Sequence, residues 1–341
     1  MTAIVETRDL TRSYGTTLAL DHLNLEIPQG AIFGFIGPNG AGKTTTMRIL
    51  TTLLTPTSGE AWVAGRSVLR EPLEVRKVVG FMPDFFGVYD SMKVWEYLDF
   101  FGRAYGIAPN RRQSMIGELL ALVDLSHKRE DFVMGLSRGM KQRLSLARTM
   151  IHDPALLILD EPASGLDPRA RIELRELLKE LRALGKTVMI SSHILTELAE
   201  MCTHIAIIER GKLLAAGDVQ TILRSLQPHR TLEVRVLRGV AQAEALLRPR
   251  ADVLGVRRAS APATPAPEDT TAVPAANVPE KDAAPAGEQP ETLLVDYSGD
   301  EDSMGELLAA LVGSGATITR FAEQSNDLED VFMQVTKGLV Q

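Results

Sequence analysis

The sequence predicts an α/β chain organised around a phosphate-binding loop, with a smaller α+β domain after it, and three observations carry that expectation. First, Gly37, Pro38, Asn39, Gly40, Ala41, Gly42, Lys43 and Thr44 fit the pattern G-x-x-x-x-G-K-[ST] at every fixed position. The apolar run Ala31 to Ile36 before them suits a buried strand, and Met47, Leu50 and Leu54 after them fall at helical spacing. Second, an apolar run from Ala155 to Leu159 ends in Asp160 and Glu161, as expected of a central parallel strand with carboxylates at its carboxyl end. Third, the last third of the chain carries a β-α-β rhythm on each side of an Ala/Pro tract.

The glycines let backbone N–H groups turn towards an anion, and the helix N-terminus adds partial positive charge. In that setting Lys43 can reach β- and γ-phosphates and the Thr44 hydroxyl can ligate Mg²⁺. The bland alternative is a glycine turn before an ordinary helix. The order strand, loop, helix and the motifs further along weigh against it.

With 341 residues the chain has room for two domains and a sizeable core. Its 44 acidic and 37 basic residues give a formal charge of −7, which disfavours a broad nucleic-acid surface and leaves only a local basic patch open. The single cysteine, Cys202, excludes an intrachain disulfide and fits a reducing compartment. No basic segment followed by an apolar core opens the chain, and no run of about 18 apolar residues occurs, so it is expected to be neither secreted nor membrane-spanning.

Taken in order, residues 3–10 and 18–27 read as two strands turning at Gly15, an antiparallel edge layer ahead of the loop. Tyr14 in that turn is either a half-buried loop residue or a ring on which a base can stack. Short strands follow at Glu60–Val63 and Val78–Met82, with Pro72 and a brief helix between them. Residues 94–124 are helical and aromatic, with breaks expected at Gly102, Gly106 and Pro109. Trp95, Tyr97, Phe100, Phe101 and Tyr105 are expected mostly as the core of a small helical subdomain spanning about 84–152. Phe85, Phe86 and Tyr89 are the better candidates for a partner-facing surface.

Ser137, at the start of a helix reaching about Ile151, can act as an N-cap, and the same geometry offers its hydroxyl and free N–H groups to a phosphate. Alternation along the next strand points Asp160 and Glu161 to different sides, which implies different roles. Asp167 caps a helix with Pro168 at its first position, ending at Gly185. Thr187–Ile190 is another buried strand, with Ser191, Ser192 and His193 at its carboxyl end. There His193 either hydrogen-bonds within a turn or flanks the phosphate site. Strands near 203–209 and 212–216 finish a first domain of residues 1–225.

Residues 226–341 read as an accessory α+β domain of ferredoxin-like order. Strand, helix and strand occupy 231–258; strand, helix, strand and a final helix occupy 291–336. Between them, 259–291 holds too little apolar surface to stay folded and is expected to be a disordered connection.

The phosphate loop, the Leu136-Ser137-Arg138-Gly139 turn, the Asp160-Glu161 strand end, the Gly165-Leu166-Asp167 loop and Ser191-Ser192-His193, in that order, resemble the nucleotide-binding domain of ABC transporters. The likeness covers residues 1 to about 220. It implies a P-loop NTPase core with an antiparallel β subdomain and an α-helical subdomain. It also implies two copies meeting head to tail, each ATP lying between one copy's loop and the other's Ser137 turn. By that resemblance Tyr14 stacks on adenine, Gly37 to Thr45 hold the phosphates, and Lys43 neutralises β/γ charge. Thr44 and Asp160 hold Mg²⁺, Glu161 is the general base, and His193 contacts the γ-phosphate; Ser137, Gly139 and Asp167 complete the binding set.

Two positions depart from the family pattern. A glutamine usually reaches the metal where Asp84 stands here; a carboxylate cannot donate as an amide does, and Asp84 is expected to keep the metal role. The turn reads Leu-Ser-Arg-Gly-Met rather than Leu-Ser-Gly-Gly-Gln, which keeps Ser137 and Gly139 and alters the ribose side.

The resemblance implies an ATPase subunit that powers a separate membrane permease from the cytoplasmic face. A homodimer is expected over a heterodimer, and no nucleic acid is expected. The tail Leu328 to Phe332 looks like the ending of bacterial exporter-type ATPases, which favours efflux. Two other readings are a soluble ABC-type ATPase acting on ribosomes or nucleic acid, and a module that binds ATP without turnover. The single motif set and acidic balance weigh against the former, and intact Asp160, Glu161 and His193 against the latter.

Overall fold

The computed structural model describes residues 2–84, 87, 89, 91–226, 230–259 and 291–324. They group into two compact units with the changeover between Arg224 and Ser225.

In the first unit, β1 (Ala3–Tyr14) and β2 (Thr17–Pro28) pair antiparallel about Gly15 and run longer than the sequence predicts, because each continues its ladder into the turn. β3 (Ile32–Ile36) is buried at every residue and leads through the loop into α1 (Lys43–Leu50). β4 (Ser58–Val63) and β5 (Arg66–Ser67) follow, then α2 (Pro72–Val78) and β6 (Val79–Met82). Three helices come next: α3 (Val94–Ala104), α4 (Pro109–Leu122) and α5 (Arg138–Met150). β7 (Leu156–Leu159), α6 (Pro168–Ala183), β8 (Thr187–Ser192) and α7 (Leu195–Met201) precede β9 (His204–Glu209), β10 (Lys212–Asp218) and α8 (Val219–Leu226).

Among the described residues these strands form two sheets, ordered β2-β1-β4-β5 and β10-β9-β3-β8-β7-β6. The first is antiparallel; the second is parallel except for the β9–β10 pair. Leu10, Leu20, Leu23 and Leu25 from the first pack with Phe33, Phe35, Ile158 and Met189 from the second. Fully burying each such side chain is worth about 1.5–3 kcal/mol, so this layer fixes the β1–β2 hairpin against the parallel sheet.

The helical segment corrects two expectations. Gly102 does not break α3; it lies inside it, and a Cβ there would stand 2.5 Å from Arg112 Cδ, so glycine permits α4 to approach. Arg112 in turn binds Asp99 across the two helices. Nor do most of the rings form a core: Tyr97 is fully buried, but Phe100 is 46% and Tyr105 47% exposed. Phe100 instead meets the exposed Tyr89 edge-on at 5.7 Å, and Tyr105 stacks on His152 at 4.0 Å. Phe85 and Phe86 lie outside the described residues.

The second unit holds β11 (Arg230–Arg238), α9 (Val240–Leu247), β12 (Val253–Arg258), β13 (Glu291–Tyr297), α10 (Glu301–Gly313) and β14 (Thr317–Gln324). Its sheet runs β12-β13-β11-β14 with antiparallel neighbours throughout, the order of a ferredoxin-like sandwich. Leu232, Val234, Leu293 and Val295 pack beneath Leu247, Leu307 and Leu311 of the two helices. Residues 260–290 of the Ala/Pro tract, the expected helix near 328–336 and the tail to Phe332 lie outside the described residues.

Candidate active site

Because β3, β8 and β7 are neighbours in the parallel sheet, their carboxyl ends bring Gly37, His193 and the Asp160-Glu161 pair to one edge. Gly42 caps α1 with φ 110°, and a Cβ on it would stand 2.7 Å from the Ala19 carbonyl oxygen, so glycine lets β2 close on the loop.

Lys43 is only 6% exposed. Its Nζ donates to the Gly37 carbonyl at 2.6 Å and to that of Pro38 at 3.3 Å, and lies 3.6 Å from Glu161 Oε1. Burial pulls the ammonium below the usual lysine range, and the attraction of Glu161 and Asp160 offsets that only in part. An anion entering here therefore meets a cation that its present partners leave under-compensated.

Asp160 is 1% exposed and holds two hydroxyl donors: Thr44 Oγ1 to Oδ2 at 2.8 Å and Ser191 Oγ to Oδ1 at 2.5 Å. The same Ser191 hydroxyl accepts the Glu161 backbone N–H at 2.9 Å. Glu161 has φ 49°, left-handed backbone that is uncommon outside glycine and costs of order 1–3 kcal/mol, so Ser191 anchors a strained turn. The other carboxylate oxygen, Oε2, lies 3.0 Å from His193 Nδ1. The two carboxylates thus meet different partners, but not through strand alternation: β7 ends at Leu159, and the left-handed turn at Glu161 turns its side chain away from that of Asp160.

A cavity of about 530 Å³ opens over these groups, within the range of nucleotide-sized sites. Pro38 through Thr45 line it, with Asp84, Asp160, Glu161 and His193. Gly37 contributes through its carbonyl to Lys43. Ser137, Gly139 and Asp167 are not brought to this cavity; they line a second one of about 370 Å³ between α5 and α6. There the Ser137 hydroxyl accepts the Met140 N–H at 3.3 Å, and Asp167 accepts the Ala170 N–H at 2.8 Å, so both also cap their helices. Tyr14 lines neither cavity; it is 46% exposed at the end of the hairpin whose returning strand touches Gly42.

Three further residues take places in or beside these cavities that the sequence alone does not assign. Ser191 binds Asp160 and the Glu161 amide; its signal in the sequence is a polar residue at a strand end, next to Ser192 and His193. Gln142 is buried and lines both cavities; its signal is a polar residue on the helix face shared with Leu146 and Thr149. Arg138, noted only as a departure, also lines both and directs Nη2 at the Ser164 carbonyl at 3.4 Å.

A sequence profile described as ABC transporter matches residues 20–164, which include the phosphate loop and Asp160-Glu161. The Nod factor export ATP-binding protein I of Cupriavidus metallidurans is 39% identical over 225 residues, covering 66% of this chain and 74% of that protein. The bacitracin transport ATP-binding protein BcrA of Bacillus licheniformis is 42% identical over 215 residues, 63% of this chain and 69% of the other. A solved structure of an ATP-binding subunit of an ABC transporter superposes with a TM-score of 0.59 at 29% identity, covering 65% of this chain and 92% of its own. Fold, strand-end cluster and relatives agree: this chain belongs to the ATP-binding proteins of ABC transporters and is an ATPase.

Proposed function

We propose that the chain energises export by a separate membrane permease, using residues 1–225 as its ATP-binding domain and 226–341 as an accessory domain. The observation that carries this is the convergence of Lys43, Thr44, Asp160, Glu161 and His193 on one cavity. The transport and export roles in the relatives' names support the direction.

In this reading the loop from Gly37 to Thr45 wraps the phosphates. Lys43 exchanges its carbonyl and Glu161 partners for β- and γ-phosphate oxygens, which frees the Glu161 carboxylate. Glu161 then accepts a proton from the water whose oxygen attacks the γ-phosphorus, while the bond to the β-bridging oxygen breaks and ADP leaves. His193 orients Glu161 and meets the γ-phosphate. The hard oxygen donors of Thr44 and Asp160, with Asp84 on the same cavity wall, fit Mg²⁺ bound together with phosphates and water. When bound, Mg²⁺ supplies charge neutralisation at the phosphate oxygens. Tyr14, half-exposed at the end of the hairpin, would stack on the adenine.

Ser137, Gly139 and Asp167 lie apart from the loop cavity, which supports a site shared between two copies of the chain. No described helix is long and apolar enough to cross a membrane, which fits peripheral attachment to a permease at the cytoplasmic face. The exposed Tyr89 and Phe100 pair offers an apolar docking patch for it. The acidic balance disfavours a nucleic-acid partner. Affinity purification from detergent-solubilised membranes tests this: a polytopic membrane protein recovered in stoichiometric amount is expected, and recovery with ribosomes alone would overturn it.

A further inference from the structure

The turn that carries Tyr14 is braced from one side. Ser13 N–H donates to Thr57 Oγ1 at 3.0 Å, and Ser13 Oγ donates to the Gly15 carbonyl at 2.9 Å. Arg12 Nη1 donates to the Thr55 carbonyl at 2.8 Å, in the segment that follows α1. The Arg12 guanidinium thereby comes to lie over the Tyr14 ring, with Cζ 4.7 Å from the ring centroid. Its buried Nε has no hydrogen-bond partner among the described residues, so that part of the group is committed to packing. Tyr14 as a residue is 46% exposed, so side-chain surface remains available to a base. The hairpin sits beside the phosphate loop because β2 contacts Gly42 at Ala19.

We propose that Arg12 is a positioning residue for the base of the bound nucleotide, holding Tyr14 from behind as a ready platform for a purine. The inference rests on the reading of Tyr14 as the base-stacking residue. Two physical effects act together. A fixed ring loses less side-chain freedom when a base arrives. A cation on one face also draws the ring's electron density, so the opposite face repels a π-rich purine less. Because Arg12 acts through the base platform, its effect should be absent for a ligand that has phosphates and no base.

The test compares the affinity of the full chain for MgATP with that for magnesium tripolyphosphate, by calorimetric titration. Tyr14→Ala is expected to weaken MgATP by about 5- to 100-fold and leave tripolyphosphate unchanged. Arg12→Ala is expected to weaken MgATP by about 3- to 10-fold, again with tripolyphosphate unchanged, and Arg12→Lys to recover part of the loss. In the Tyr14→Ala background, Arg12→Ala should have no further effect on MgATP. If Tyr14→Ala selectively weakens MgATP and Arg12→Ala does not, the Arg12 inference fails while the Tyr14 reading stands. If Arg12→Ala weakens both ligands equally, Arg12 acts on the phosphates or on folding and the inference fails. If Tyr14→Ala leaves the two affinities in their wild-type ratio, the Tyr14 reading falls and takes this inference with it.

Discussion

The first unit buries Lys43, Asp160, Ser191 and Ser192 where its parallel strands end, whereas the second fills its core with Leu232, Val234, Leu293 and Val295. Among the second unit's described residues, Thr231 is the buried polar one. Both are helix-covered sheets, so layer architecture does not distinguish them. Polar burial does: a charged group withdrawn from water costs several kcal/mol unless its partners are well placed, and the first unit bears that cost beside the phosphate-loop cavity.

The two units should separate most in the apolar core. Leu293→Ala should lower the unfolding free energy of the second unit by about 2–5 kcal/mol and leave ATP turnover unchanged while both units are folded. Denaturation followed alongside steady-state hydrolysis checks this; turnover falling before unfolding would show that the second core serves catalysis.

Lys43→Ala should cost about 2–5 kcal/mol of MgATP affinity without destabilising the nucleotide-free chain. Burial lowers the Lys43 pKa, so as pH rises through that lowered value the folded chain releases a proton that the unfolded chain still holds. Stability of the nucleotide-free protein then rises relative to Lys43→Ala, while MgATP affinity falls. Thermal melts and titrations across alkaline pH read both slopes.

Ser191→Ala removes the hydroxyl shared by Asp160 and the Glu161 amide. Mg²⁺-dependent nucleotide binding should weaken by about 10- to 100-fold, measured by titrating Mg²⁺ at fixed ATP. An unchanged Mg²⁺ requirement would leave Ser191 with a packing role alone.

Asp99→Asn should have the smallest effect, about 1.5 kcal/mol at neutral pH. Burial raises the Asp99 pKa, but its hydrogen bonds to Arg112 and Arg103 outweigh that and hold it below the usual carboxylate range. This contribution is present above the unfolded carboxylate pKa and is lost as pH falls through the folded one. The variant should therefore differ most from wild type at pH 7 and converge on it in acid, as denaturant melts would show.

The convergence of the phosphate loop, Asp160-Glu161 and His193 on one cavity was legible in the sequence because these residues stand at short spacing or at strand ends. Ser191 was not, because its role depends on register: Leu159 pairs with Ile190, which sets Ser191 beside Asp160. Strand alternation within one segment cannot supply that cross-strand fact. Gly102 read as a breaker because its backbone freedom is visible in sequence, while the approach of Arg112 is not. Phe100 and Tyr105 read as core because an aromatic side chain carries no sign of which neighbours will cover it. In the second unit the strand and helix order was legible from alternation, and two β-α-β crossovers of one hand are compatible with the sheet order observed.

In the proposed mechanism Glu161 is the base of an ATPase centre whose nucleotide is held by other groups. Glu161→Gln tests it most directly, with steady-state hydrolysis and MgATP titration on the same preparation. Turnover should fall by about 10²- to 10⁴-fold with MgATP affinity retained, and MgATP should drive the variant into a stable dimer. Turnover within a few-fold of wild type would remove Glu161 from that role.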